Sequence, residues 1–187
     1  MNEVTNPAII PAATAGNLTN LIAERAWFEP DRITMSRPLG DGWQPLTARQ
    51  VEEEIRATAK GLVAAGINIG DRVAIMARTR YEWTVLDFAI WYAGAIPVPV
   101  YESSAPSQIE WILSDSDCVA FFGETEEILA RFEEIKSHTP LCRLSWNIEG
   151  GDIDKIKQLG KTVDDATIQT RRKSSKLSDL ATIIYTS

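Results

Sequence analysis

Two rhythms alternate through the middle of the chain. Short continuous apolar runs occupy residues 73–77, 96–101 and 118–122. Between and after them, apolar residues recur at helical spacing: Trp83, Leu86, Phe88, Ile90 and Trp91, then Ile109, Ile112 and Leu113, then Ile128, Leu129, Phe132 and Ile135. The first group predicts strands buried on both faces and the second predicts crossover helices, so the expected core is an α/β fold with a parallel sheet of βαβ units. Thr79 with Glu82 predicts a helix start, Gly94 its end, and Pro106 the opening of the next helix.

The flanks refine this picture. Leu18, Leu21, Ile22 and Ala26 predict an amphipathic helix over 17–28, and the runs 33–36 and 43–46 around Gly40-Asp41-Gly42 predict a small β-hairpin. Thr47 and Gln50 have capping-box spacing, with Val51, Ile55, Ala59 and Leu62 on one face and Gly66 as the stop. Glu52, Glu53 and Glu54 are expected in the first turn of that helix, as a dipole and solvated-face feature without catalytic meaning. Pro97 and Pro99 lie two apart, so their missing N–H groups fall on one side of the strand, which should then be irregular or an edge. Cys142, Leu144, Trp146 and Ile148 alternate with polar residues, the pattern of a half-exposed marginal strand.

The expected organisation is a loose Pro/Ala/Thr-rich arm over 1–16, an α/β core over 17–148, and a polar, peripheral segment over 149–180. That segment would carry a weak helix at 152–159 and another beginning at Thr162. Residues 181–187 read as an apolar, β-branched core strand. A core strand at the very end of a chain predicts that these residues are the first part of a longer protein, because domain termini ordinarily lie at the surface.

Composition narrows the function classes. With 187 residues, 44% hydrophobic and six tryptophans, the chain is expected to fold around a sizeable core; Trp83, Trp91 and Trp111 are expected mostly inside it. The longest weakly polar stretch, 88–101, is about 14 residues and contains Pro97 and Pro99, short of the roughly 20 that a bilayer requires. Glu3, Pro7 and Pro11 do not suit a secretory leader. A net charge of −7 argues against nucleic acid as a partner, and the one basic cluster, Arg171, Arg172, Lys173 and Lys176, reads as a solvated loop. Cys118 and Cys142 sit in apolar runs and read as reduced core residues; zinc is not expected. The lone histidine, His138, reads as a partner for a helix C-terminus. Neither a dinucleotide-binding glycine turn after 73–77 nor a nucleophile elbow is present, and the aspartates Asp115, Asp117, Asp152 and Asp154 read as loop or cap residues.

Several spaced segments nonetheless agree, in order, with one family. Asp71-Arg72-Val73-Ala74-Ile75, Arg80-Tyr81-Glu82-Trp83, Ala93-Gly94-Ala95-Ile96-Pro97-Val98-Pro99-Val100-Tyr101 and the stretch 108–117 closely resemble the amino-terminal region of AMP-forming acyl-CoA synthetases. The Glu82-Trp83 pair and the loop Tyr101-Glu102-Ser103-Ser104 look most like bacterial long-chain fatty acid ligases. The terminal Tyr185-Thr186-Ser187 looks like the opening of the superfamily's phosphate loop, so the resemblance assigns ATP phosphate binding to Thr186 and Ser187, and no catalytic or metal-binding residue to the rest. Hydroxyls and closely approaching backbone N–H groups suit an anionic triphosphate.

The resemblance implies the first part of a large AMP-binding domain, in an enzyme that joins a fatty acid to ATP with Mg²⁺ and passes the acyl group to CoA. It implies a cytoplasmic protein without a transmembrane segment, and leaves open peripheral membrane association and a homodimer. The remaining parts of the phosphate loop, the nucleotide-binding segments and the carboxy-terminal lid are absent from these 187 residues, so they are expected to be inactive alone. Two other readings stay open: a fatty acyl-AMP ligase that hands its product to a carrier protein, and a non-catalytic α/β interaction module.

Overall fold

The computed structural model describes residues 13–186; most of the arm expected at 1–16 therefore lies outside the described residues, as does Ser187. In chain order the elements are α1 (Asn20–Phe28), β1 (Ile33–Leu39), β2 (Gly42–Thr47), α2 (Ala48–Ala64), β3 (Arg72–Met76), α3 (Tyr81–Tyr92), β4 (Ile96–Val100), α4 (Pro106–Asp115), β5 (Cys118–Gly123), α5 (Glu126–Ile135), β6 (Leu144–Asn147), α6 (Asp152–Leu159) and α7 (Asp165–Arg172). β1 and β2 form the expected antiparallel hairpin, and the other strands form a parallel sheet in the order β4-β3-β5-β6. Alternate residues of the central strands feed two cores. Val73, Ile75, Ala120 and Phe122 pack with α2 and α3 on one face, while Ala74, Met76, Phe121 and Cys118 pack with α4 and α5 on the other. No helix among the described residues is long and apolar enough to cross a membrane.

Both edges predicted from sequence are edges: the proline strand is β4 and the alternating strand is β6. Local signals also hold for α2. Thr47 Oγ1 accepts from Gln50 N at 3.3 Å while Gln50 Oε1 accepts from Thr47 N at 2.9 Å. At its other end Gly66, at φ +94°, lets the Ile67 N–H reach back to Leu62 O at 3.0 Å; Gly94, at φ +81°, does the same for α3. Cys118 and Cys142 are both free and buried, and burial pushes their thiols up to about 11 and about 12.

Other expectations are corrected by tertiary partners. α2 begins at Ala48, so Glu52, Glu53 and Glu54 fall beyond its first turn and only Glu53 is fully solvated. Glu52 pairs with Arg56 at 3.4 Å, and Glu54 accepts from Tyr81 Oη at 2.7 Å and Lys157 Nζ at 2.6 Å. α3 is preceded by Arg80, which gives no side-chain cap, in place of Thr79; the Arg80 side chain instead pairs with Glu82 and with Glu124 and Glu149, just beyond the carboxyl ends of β5 and β6. The last helix starts after Asp164, whose carboxylate caps Thr167 N at 2.6 Å, and not at Thr162, which lies in a 3₁₀ turn. His138 also closes a short 3₁₀ turn, with Nδ1 3.1 Å from Glu110 Oε2.

The segment 149–180 is polar but not merely peripheral. Ile153, Ile156 and Ile168 enter the larger core, and α6 lies tightly against α2. Nor is the basic cluster wholly a solvated loop. Arg171 Nη1 donates to Ile67 O at 2.8 Å and Ala93 O at 3.2 Å, satisfying carbonyls at the ends of α2 and α3. Arg172 is buried, donates to Thr19 Oγ1 at 3.1 Å and Asn20 Oδ1 at 3.0 Å, and lies 5.6 Å from the centre of the Tyr92 ring. These two arginines fasten α7 to the ends of α1, α2 and α3, while Lys173 and Lys176 remain exposed.

The tryptophans are less buried than expected. Trp83 and Trp91 are half-buried and Trp111 is 58% exposed. Trp83, Asp87 and Trp91 form one stripe along α3 at spacing i, i+4, i+8. No hydrogen bond or ion pair among the described residues engages Asp87, and burial pushes its carboxyl up to about 7. In the unfolded chain the value is near 4, so the folded state holds this proton more tightly. Stability contributed here is complete below about pH 4 and is lost as pH rises through 7. The rise of roughly three units sets a ceiling near 4 kcal/mol, which partial exposure reduces to about 2 kcal/mol. Asp87→Asn is therefore expected to raise the melting temperature by about 4–8 °C at pH 8 and to leave it unchanged at pH 4; equal shifts at both pH values would refute the assignment.

Candidate functional site

Residues 181–186 cross the outer edge of the sheet and do not extend it. On the α3 side, Trp91 Nε1 donates to Ala181 O at 2.7 Å. At the edge, Pro97 O accepts from Thr182 Oγ1 at 3.0 Å and Ile183 N at 3.4 Å. On the α4 side, Tyr185 Oη donates to Asp115 Oδ2 at 2.7 Å, and its ring meets Trp111 edge-on at 4.9 Å between centroids. Ile183 and Tyr185 pack against the core beneath α4 and α5.

The strand expected at 181–187 is thus absent among residues 181–186, and the prolines explain why. Pro97 O faces outward and accepts from the crossing segment, so the Pro97 and Pro99 nitrogens belong to the same outer side. That side offers carbonyl acceptors but no N–H donors, so a neighbouring segment can donate to it and cannot complete a ladder. The feature read from sequence as marking an edge also denies the edge to the last apolar run.

Thr186 ends up exposed, one residue past the Tyr185 anchor. Ser187, the second residue assigned to phosphate binding by resemblance, lies outside the described residues. Tyr185 is raised to about 12 by burial and by its bond to Asp115, so its hydroxyl remains a donor across the physiological range. Sequence reasoning assigned Asp115 to a loop or cap and did not single out Trp91 as a ligand of this segment. Nothing in local periodicity links position 91 or 115 to position 181 or 185.

A second group of charged side chains fills the carboxyl ends of β3 and β5. In an open α/β sheet the crevice where strand order reverses is where ligands generally bind, and here β3 leads outward to β4 while β5 leads the other way to β6. Glu124, buried just after β5, accepts from Arg78 N at 2.8 Å, Arg78 Nη2 at 2.9 Å and Arg80 Nη1 at 3.0 Å. Arg80 also reaches Glu149 Oε1 at 3.0 Å and Glu82 Oε2 at 2.7 Å. Burial opposes ionisation of Glu124, but the hydrogen bonds from Arg78 and Arg80 outweigh it and hold the carboxyl below the usual glutamate range. The cationic and anionic groups of this cluster are thus paired with one another, with Glu124 buried at its centre and Arg78 largely exposed.

The sequence model described as AMP-binding enzyme matches residues 22–187. The chain belongs to the AMP-binding enzyme family. It is 35% identical to the long-chain-fatty-acid–CoA ligase FadD15 of Mycobacterium tuberculosis over 190 aligned residues, which cover 100% of this chain and 32% of that protein. Among solved structures, a long-chain-fatty-acid-CoA ligase, FadD1, from Archaeoglobus fulgidus superposes with a TM-score of 0.70 at 15% identity, covering 85% of this chain and 33% of that one. VinN in complex with 3-methylaspartate gives a TM-score of 0.72 at 19% identity over 92% of this chain and 44% of that one. At these identities the structural likenesses show the fold alone. This member of the AMP-binding family spans about a third of the length of its relative FadD15.

Proposed function

We propose that the chain forms the opening part of the large AMP-binding domain of a long-chain fatty acid–CoA ligase, with Thr186 and Ser187 beginning its phosphate loop. The observation that carries this reading is the alignment with FadD15, which runs the whole length of the chain at 35% identity. In such an enzyme a fatty acid carboxylate attacks the α-phosphorus of ATP, giving acyl-adenylate and pyrophosphate. The thiol of CoA then attacks the acyl carbon and AMP leaves. Activation is required because a carboxylate is a poor electrophile, whereas AMP is a good leaving group.

ATP, Mg²⁺ and CoA are the cofactors of this reading, and the described residues fit them unequally. The exposed Thr186 hydroxyl suits one hydrogen bond to an anionic oxygen. Among the described residues no group of three His, Cys, Asp or Glu side chains could hold a metal ion. No step is therefore assigned to Mg²⁺ on these residues. The contribution of this part of the protein is to scaffold and deliver a loop.

The test is fatty-acid-dependent exchange of pyrophosphate into ATP. The full-length protein that carries this chain is expected to catalyse it and to form acyl-CoA, with Thr186→Val raising the KM for ATP about tenfold; the 187-residue chain alone is expected to do neither. Acyl-CoA formation by the 187-residue chain, or no exchange by the full-length protein with any long-chain acid, overturns the proposal. Transfer to a carrier protein but not to CoA would make it a fatty acyl-AMP ligase instead.

A further inference from the structure

We propose that Trp91 and Asp115 are positioning residues that clamp residues 181–186 from opposite faces of the sheet and so set where Thr186 is presented. The proposal deepens the functional reading above and rests on it. Its basis is the missing ladder. A strand added to a sheet takes its register from alternating N–H and C=O pairs, but the outer side of β4 supplies acceptors only. Among the described residues, the one backbone bond across this edge, Ile183 N to Pro97 O, is long at 3.4 Å, and the Thr182 hydroxyl bond to the same carbonyl can follow a shifted segment. Register must then come from side chains.

Two side chains supply it. Trp91 lies in the last turn of α3, its ring braced edge-on by Phe88 at 5.2 Å between centroids, and its 2.7 Å bond to Ala181 O fixes where the segment enters. Asp115 is the last residue of α4, at the negative end of the helix dipole, a place where a carboxylate is electrostatically disfavoured. Its hydrogen-bond partner among the described residues is Tyr185 Oη at 2.7 Å, which fixes where the segment leaves. The two anchored residues, Ala181 and Tyr185, are four positions apart in sequence, and Thr186 follows the second directly. Both helices are rooted in packed cores, so the clamp relates the loop's first hydroxyl to the two layers that flank the sheet.

The experiment compares Trp91→Phe, Asp115→Ala, Asp115→Asn, Tyr185→Phe and the double variant Tyr185→Phe/Asp115→Ala in the full-length protein. Two readouts are taken: backbone hydrogen exchange at Ile183, and the KM values for ATP and for fatty acid. Trp91→Phe, Asp115→Ala and Tyr185→Phe are each expected to speed exchange at Ile183 severalfold and to raise the KM for ATP about tenfold, with the KM for fatty acid and the melting temperature unchanged. Asp115→Asn, whose amide oxygen can still accept from Tyr185, is expected to stay near wild type in both. The double variant is expected to be no worse than either single one. Unchanged exchange at Ile183, or a fall in kcat and melting temperature without a change in the KM for ATP, overturns the clamp. Exchange that answers to both anchors in a protein that takes no ATP supports the clamp and refutes the functional reading instead.

Discussion

Gly61→Ala is expected to destabilise the chain by about 3 kcal/mol, against the sign that helix propensity alone would give. Gly61 lies within α2, where alanine is intrinsically favoured over glycine by about 1 kcal/mol. A Cβ there would stand 2.6 Å from the Ile156 carbonyl carbon, and closer still to that residue's oxygen and Cγ2. Two of those three atoms are backbone, so no rotamer change relieves the overlap and α6 itself has to move away. Overpacking of this kind costs roughly 1–3 kcal/mol and more where backbone must shift. Moving α6 also withdraws Ile153 and Ile156 from the larger core and lengthens the Lys157–Glu54 pair.

The contact is reciprocal. A Cβ on Gly160 would lie 2.6 Å from the Lys60 carbonyl carbon and closer to Gly61 N, so Gly160→Ala should cost a similar amount and the two changes should not add. Urea unfolding at pH 7 checks this. For a chain of this length about 3 kcal/mol corresponds to a fall of about 6–12 °C in melting temperature. A stabilised Gly61→Ala variant would mean that α6 does not press on α2 in solution.

That contact marks the boundary of what was readable beforehand. The strands at 73–77, 96–101 and 118–122, the capping box at Thr47 and Gln50, and the edge character of the proline strand all depend on residues close in sequence, and each was legible. Local signals could not reveal the strand order with β3 inside, or that α6 docks where two glycines meet about a hundred positions apart. The same holds for Arg171 and Arg172. Four basic residues within six positions read as a solvated run until carbonyls at the ends of α2 and α3, and the Thr19 hydroxyl, are brought to two of them.

At the candidate site the two kinds of information collided. Residues 181–186 have strand propensity, and propensity would have prevailed beside an ordinary edge. It fails because a decision made about eighty residues earlier, two prolines on the outer side of β4, removed the donors that a ladder needs. Thr186 was proposed as a phosphate-binding residue only through the family resemblance. Its anchors Trp91 and Asp115 were not legible at all, because a tryptophan at helical spacing and an aspartate at a helix end both have simpler local explanations.

Glu124→Gln is expected to lower stability by about 2 kcal/mol at pH 7, and the pH at which that difference closes is the sharper result. Glutamine keeps the shape and can still accept from Arg78 N, so little packing is lost. The charge-assisted bonds from Arg78 and Arg80 become neutral ones, and such bonds are worth about 1.5–3 kcal/mol against about 1 for a neutral pair. Arg78 is largely exposed and regains water, while Arg80 keeps Glu82 and Glu149, so the cost stays below the 3–5 kcal/mol typical of breaking a fully buried pair. The sign with pH follows from the lowered carboxyl of Glu124. A group more acidic in the folded chain contributes stability that is complete above its unfolded value, near 4.3, and is lost as pH falls through its folded value. Wild type should therefore exceed the variant by a constant margin from pH 6 to 8, the margin should begin to narrow as pH approaches about 4.3, and the two curves should converge at lower pH. Urea unfolding of both proteins at pH 7, 5, 4 and 3.5 measures the gap. If its width is unchanged at pH 3.5, ionisation of Glu124 is not what holds the carboxyl ends of β3 and β5 together, and packing alone does so.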